Sequence, residues 1–414
     1  MAARSAWNRR LALGMTLAAV AASVALLLGV ERVREGARQG FSQSVSGIDL
    51  IVGPRTSPTQ VILYAVFRMG DPMAGMRWSS YEGVARHPAV AWTVPLSLGD
   101  SHHGFPVLAT TRDYFSRFRY GESRPLAIAP GRAFETTFEA VVGSEVAARL
   151  GYRTGSSILI THGMGDSGLA EHGDKPFAVT GVLAPTGTPV DRTVHIGLDG
   201  LEAIHLDWQG GAPMPGVRIP ADQVRKFDLQ PKAITAMLVG LESRAAVFAV
   251  QRFVNEYPSE ALVGVLPGVA LDELWETLET AQRALLAVSA LVVVVGLLGL
   301  VAVILASLGE RRRELAILRS VGASPSDVLV LLTLEGLWVM LSGVLLGLAL
   351  LYLATALLAP LAQAHYGIAV AARWVQTGEL RLLGAVIAAG VVASLLPGLR
   401  AYRLSLADGL SPRS

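Results

Sequence analysis

The sequence predicts a helical membrane protein with four transmembrane spans and an α/β domain inserted between the first and second. Three observations carry this. Of 414 residues, 52% are hydrophobic and only 16% charged, against about 25% charged in soluble domains, and mean hydropathy is +0.46. The apolar excess is concentrated in four runs long enough to cross a bilayer, which takes about 20 residues. The stretch between the first and second runs has ordinary mixed composition. A wholly soluble enzyme and a disordered chain are both excluded, the latter because so much apolar surface must be buried.

The first span covers Leu11–Val30, with Thr16 and Ser23 its polar members, so residues 1–30 form a short basic terminus and one helix. Its exit at Glu31-Arg32-Val33-Arg34 lacks a small-x-small cleavage site, which argues for a retained span over a removed signal peptide. Residues 31–284 follow as the inserted domain. The second span occupies 285–308, a short loop 309–327, the third and fourth spans 328–399, and a tail 400–414.

Flanking charge sets the orientation. Segments 1–10, 309–327 and 400–414 carry ten arginines against four acids, while the whole chain is only +2. Four spans place all three segments on one side. That side is expected to be cytoplasmic, with both termini on it and the inserted domain outside. There are no cysteines, hence no disulfides and no thiolate chemistry.

Within the spans Glu335 is the one clear ionisable residue. Such residues are costly in lipid and mark function or an interhelical hydrogen bond. A polar conduit is not expected. Gly343 and Gly347 form a small-xxx-small pair suited to close helix contact in the bundle.

The inserted domain alternates short apolar strands with capped helices. Strands are expected at 48–52, 89–95, 157–160, 177–183 and 233–241, and helices at 144–150 and 244–256. Ser57-Pro-Thr-Gln60 and Ser79-Ser-Tyr-Glu82 read as capping boxes opening two more. Toward its end, Leu271, Leu274, Trp275 and Leu278 fall at i, i+3, i+4, i+7 spacing on a helix opening near Ala270 and continuing into the second span. The surplus length predicts a stalk, with residues 31–39 as a shorter counterpart. The apolar stripe needs a partner, which a second copy's stalk would supply.

No catalytic constellation stands out. Seven of eight histidines are external, including His102, His103, His162, His172, His195 and His205, with Asp166, Glu171 and Asp174 beside His162 and His172. No HExxH or comparable spacing exists, so no metal is assigned; His162 and His172 are the candidates were one present. The run 161–168 reads as a flexible hairpin loop, and Gly-x-Ser-x-Gly is absent. The run 185–192 (PTGTPVDR) reads as a structured loop.

The loop 309–327 (GERRRELAILRSVGASPSD) is the most informative stretch. Residues 310–320 form an amphipathic helix with Leu315 and Leu318 on one stripe, Gly322 is placed to end it, and Ser324, Pro325 and Asp327 restart a helix. With Leu334-Glu335-Gly336, Gly343-Val-Leu-Leu-Gly347 and the tail 397–410 (PGLRAYRLSLADGL), the loop resembles the FtsX-like permeases of MacB-type ABC transporters. Residues 49–58 look like the family's strand and turn after the first stalk, and residues 141–151 and 177–183 are similar to the core of its periplasmic domain. This resemblance implies a bacterial inner-membrane protein with the inserted domain in the periplasm.

The resemblance implies a non-catalytic permease subunit. It binds no cofactor; ATP and magnesium belong to a separate cytoplasmic ATPase, since the chain has no GxxxxGK[ST] phosphate loop. Glu310, Arg311, Arg312, Arg313, Glu314, Leu315, Leu318 and Arg319 are then the residues that couple to it. A second permease subunit, membrane lipids and possible periplasmic adaptor or substrate proteins are the other expected partners, and nucleic acid is not. The rival readings are an FtsX-like regulator of cell-wall hydrolases and a membrane-anchored periplasmic metal-binding protein.

Overall fold

The computed structural model describes residues 2–70, 73–163, 172–209, 212–310, 317, 319–366 and 374–402. It divides into a helical unit, residues 1–37 and 278–414, and an α/β unit, residues 38–277.

Four helices are long and apolar enough to cross a membrane. Their apolar stretches are Gly14–Gly40, Pro267–Ala306, Pro325–Leu358 and Thr377–Arg400, within helices Ala2–Gln43, Pro267–Glu310, Pro325–Tyr366 and Thr377–Tyr402. Their shared core draws Val24 and Leu28 from the first helix, Val293 from the second, Met340 and Val344 from the third and Val386 from the fourth. Other large apolar side chains, such as Leu291, Val295, Leu298, Leu345 and Leu357, remain exposed. Water would penalise that surface; a lipid environment removes the penalty. The expected membrane architecture, one span before the inserted domain and three after it, is what the structure has.

The α/β unit is built on one large sheet. Its strands run in the order Leu262–Val265, Leu50–Pro54, Ala236–Leu241, Val90–His102, Phe105–Thr110, Val194–Gly197, Glu139–Val142, Phe177–Leu183 and Ile128–Gly131. Thr161–His162 pairs with the long Val90–His102 strand, and Ser157–Ile158 with Phe177–Leu183. Two pairs are parallel, Val194–Gly197 on Phe105–Thr110 and Phe177–Leu183 on Glu139–Val142.

Both faces of the sheet are covered, and successive residues alternate between two cores. Leu50, Val52, Met237, Val239, Val107 and Ala140 enter one; Ile51, Leu238, Leu108 and Val141 enter the other. The first face carries helices Ser144–Leu150, Leu198–His205 and Val247–Asn255 through Val146, Ile204 and Val250. The second carries Pro58–Ala65 and Asp113–Arg117 through Val61, Ile62, Tyr114 and Phe115.

Local signals explain several boundaries. Ser57 Oγ accepts from the backbone N–H of Gln60, with Pro58 in the first turn. Gly151 closes Ser144–Leu150 in the left-handed conformation, φ 72°, which suits a residue without Cβ. The second capping box is not realised. The helix Trp78–Ala85 starts two residues early, its N-cap is Arg77 with no side-chain cap bond, and Glu82 instead accepts from Trp78 Nε1.

The stalk stripe is also resolved differently. Leu271 is buried in the core of the α/β unit itself, with Leu274 and Trp275 packed against it, while Leu278 is 40% exposed. The helix opens at Pro267 rather than near Ala270, so its first turns lie over the domain's own apolar face. For those three residues the partner is internal, and no second copy is required to cover them.

Candidate functional site

The coupling loop is described only at its edges. Glu310 ends the second membrane helix; Arg311, Arg312, Arg313, Glu314, Leu315 and Leu318 lie outside the described residues. Arg319 is half-buried. Beyond it, Gly322 takes φ 111°, and the third membrane helix opens with a reciprocal cap. Asp327 accepts from Ser324 N at 2.8 Å and from Ser324 Oγ at 2.7 Å, and Asp327 N donates to Ser324 Oγ at 3.3 Å. The loop therefore leaves the third helix from a fixed point.

In the bundle, Gly343 and Gly347 face the first helix. A Cβ at Gly343 would stand 2.6 Å from Val20 Cγ1, and one at Gly347 2.8 Å from Ala21 O and from Val24 Cβ. Glu335 lies half-buried on the same helix as these glycines. A pair absent from the sequence reading lies at the bundle's other end. Arg32 Nε donates to Glu379 Oε1 at 2.8 Å, with the two side chains 2% and 3% exposed. The signal was available: an acid in the first turn of the fourth helix and a base just past the first span, on the same side of the membrane.

The α/β unit gathers four groups that the sequence scatters. His162 and Asp100 are cross-strand partners in the sheet, with His162 Nδ1 3.1 Å from Asp100 Oδ1. His205 closes the helix Leu198–His205; its Nδ1 donates to Leu201 O at 3.0 Å, and its Nε2 lies 3.1 Å from His162 Nδ1 and 3.5 Å from Asp100 Oδ2. His172, held by a bond from its backbone N–H to Ile160 O, completes the group, and one ligand-type atom from each of the four lies within 4.8 Å of the others. Trp208 packs on His172 with ring centroids 4.1 Å apart. Beside it the Lys175–Asp207 pair is buried at 2.5 Å.

Burial holds His172 down to about 4, helped by neighbouring His205, so its ring is neutral near pH 7. Burial also lowers His205, whereas the hydrogen bond to Asp100 raises His162. From the sequence His162 and His172 are the metal candidates and His205 is one more external histidine, while Asp100 carries no signal. His102 turns elsewhere, to Tyr152 OH at 2.9 Å, and His195 is buried in the sheet core between Tyr114 and Phe115. Asp166 and Glu171 lie outside the described residues.

The loop 185–192 is organised by one buried carboxylate. Asp191 accepts from Thr186 N at 2.8 Å, Thr186 Oγ1 at 2.9 Å and Gly187 N at 2.7 Å.

The architecture has a counterpart among known proteins. Residues 13–257 match the MacB-like periplasmic core domain, and residues 286–406 match the FtsX-like permease C-terminal domain. The chain belongs to the MacB- and FtsX-like family of ABC transporter permeases. Members of this family are permease subunits that work with ABC ATPases. Among solved structures, the permease is similar to the periplasmic region of MacB from Actinobacillus actinomycetemcomitans, with 11% identity over 58% of this chain and 98% of that one and a TM-score of 0.32. It is similar also to the extracellular domain of the noncanonic ABC-type transporter YknZ from Gram-positive bacteria, with 12% identity, coverage of 53% and 98%, and a TM-score of 0.29. Superpositions this loose add nothing to the assignment, which rests on the two family matches. No curated protein matches the sequence.

Proposed function

We propose that this permease transmits the motion of a separate cytoplasmic ATPase to its MacB-like domain on the periplasmic side of a bacterial inner membrane, for export or extraction of a periplasmic or membrane substrate. The family match along nearly the whole chain carries the reading. Both termini and the loop 309–327 lie in the cytoplasm on this reading, as the basic flanks require.

The parts suit a lever. The second membrane helix runs unbroken from Pro267 to Glu310, 44 residues, which at 1.5 Å per residue is about 66 Å. Leu271 anchors one end in the α/β core, and the coupling loop begins at the other. The Ser324–Asp327 cap fixes where the loop rejoins the bundle. Leu315 and Leu318 would seat in the ATPase, with Arg311, Arg312, Arg313 and Arg319 around them, while the close contacts at Gly343 and Gly347 keep the bundle rigid. Two permease subunits would complete the complex.

The test is co-purification of the intact permease from native membranes with an ABC ATPase, followed by Leu315→Glu and Leu318→Glu. Loss of the ATPase in both variants, with the permease still folded and in the membrane, is expected. Retention of the ATPase in both variants, or its absence from the parent complex, overturns the reading.

A further inference from the structure

The cluster of Asp100, His162, His172 and His205 contains more lone pairs than protons. His205 Nδ1 donates to a backbone carbonyl, so in the neutral ring Nε2 is a bare acceptor turned inward. It faces Asp100 Oδ2 at 3.5 Å, also an acceptor, and that oxygen receives no hydrogen bond among the described residues. His162 Nδ1 is the single proton available to Asp100 Oδ1 and His205 Nε2 together. His172 adds two ring nitrogens, neither with a hydrogen-bond partner among the described residues, on a side chain only 1% exposed. A buried polar group left unpaired costs free energy, and here several converge on one point. A single cation would take His205 Nε2, an Asp100 oxygen and one nitrogen of His172 together, leaving the other His172 nitrogen to carry the ring proton.

We propose that Asp100, His162, His172 and His205 bind one divalent transition-metal ion of the zinc class. Three imidazoles and a carboxylate, with no thiolate, suit such an ion better than a soft monovalent one or the oxygen-seeking Mg²⁺ and Ca²⁺. The spacing agrees. Tetrahedral bonds of about 2.0–2.1 Å set neighbouring ligand atoms about 3.3–3.4 Å apart. His162 Nδ1 stands 3.1 Å from both Asp100 Oδ1 and His205 Nε2, and His205 Nε2 lies 3.5 Å from the other oxygen of the same carboxylate. The widest separation, 4.8 Å, closes to that edge with a movement of under about 1.5 Å. The outer contacts are those of a metal site: the Leu201 carbonyl fixes the tautomer of His205, and Trp208 covers His172. The side chains of His162 and His205 are 37% and 27% exposed, which leaves the ion a way in. The divalent charge is balanced in part by Asp100, since the neighbouring Lys175 is already neutralised by Asp207.

The test uses the full-length permease, tag-free in detergent, stripped with EDTA and reloaded with Zn²⁺ or Co²⁺ alone. One equivalent of Zn²⁺ retained per chain after desalting is expected, together with Co²⁺ visible absorption of four-coordinate intensity that Zn²⁺ abolishes. His162→Gln and His205→Gln, at partly exposed positions, should weaken binding at least about tenfold. Asp100→Asn should do the same, whereas His103→Gln, outside the cluster, should bind as the parent does. Retention well below one equivalent, or equal affinity in the parent, His162→Gln and His205→Gln, overturns the proposal. None of these readouts depends on an ATPase, so failure here leaves the permease reading standing.

Discussion

Arg32 and Glu379 form a buried ion pair, Nε to Oε1 at 2.8 Å, that ties the first membrane helix to the start of the fourth. Arg32 also lies over the ring of Tyr352, 4.7 Å from its centroid, and Glu379 Oε2 accepts from Gln376 N at 3.2 Å, capping its own helix. Removing one partner of such a pair strands a charge out of water, typically at a cost of about 3–5 kcal/mol, whereas removing both costs much less. Arg32→Met should therefore lower the melting temperature of the detergent-solubilised permease sharply, and Arg32→Met/Glu379→Gln should recover most of the loss. Equal melting of the single and double variants would show that the pair does not act as a unit.

That pair marks where sequence reasoning stops. The four spans were legible because lipid leaves their exposed faces apolar, and Phe177–Leu183 and Ser144–Leu150 because a strand run and a Gly cap delimit them locally. The strands Phe105–Thr110 and Val194–Gly197 gave no alternation, since the sheet is covered on both faces and their residues are buried throughout or nearly so. Asp100 and His205 could not be joined to His162 and His172 from spacing. Their meeting depends on the register of Thr161–His162 against the Val90–His102 strand and on where the helix Leu198–His205 ends. Leu271 had the right period but the wrong partner, because periodicity reports that a face is covered and not by what.

The Asp191 carboxylate holds the loop 185–192 by three short hydrogen bonds to Thr186 and Gly187, and Asp191 is only 4% exposed. Charge-assisted bonds contribute about 1.5–3 kcal/mol each before losses are shared. Asp191→Ala should destabilise the permease by about 2–3 kcal/mol, given relaxation of the loop toward water. Hydrogen exchange is the sharper probe: amides of Thr186 and Gly187 should lose protection first. Unchanged exchange there would mean that the loop is held by its backbone alone.

His195 is buried in the sheet core, its Nδ1 3.3 Å from Val141 O and its Nε2 without a partner among the described residues. Burial, with the nearby Arg68 guanidinium adding repulsion, holds it down to about 3; the other titratable group against it is Tyr114, itself bonded to Arg68. The unfolded chain binds this proton below about 6.5 and the folded one does not until about 3. Its contribution is therefore complete above pH 6.5 and falls as pH drops toward 3, by up to about 1.4 kcal/mol per unit. The stability difference between the parent and His195→Gln should shrink by that slope between pH 6.5 and 4. A difference independent of pH would refute it.

Two glycines in the membrane unit separate packing from helix propensity. At Gly347 an added methyl meets the backbone oxygen of Ala21 at 2.8 Å and Val24 Cβ at the same distance, and neither is the free end of a flexible side chain. At Gly384 it meets nothing within 4 Å. Glycine in a helix interior costs about 1 kcal/mol relative to alanine, so on propensity alone both substitutions stabilise. Overpacking costs about 1–3 kcal/mol, and at Gly347 it outweighs that gain because the first helix must move away. Gly347→Ala should thus melt below the parent and Gly384→Ala at or above it. The first helix would lose its close approach to the third at this point, so Gly347→Leu should weaken the bundle further. If Gly347→Ala melts with Gly384→Ala, the two helices are not held at the separation seen here, and the rigid bundle required of a lever loses its support.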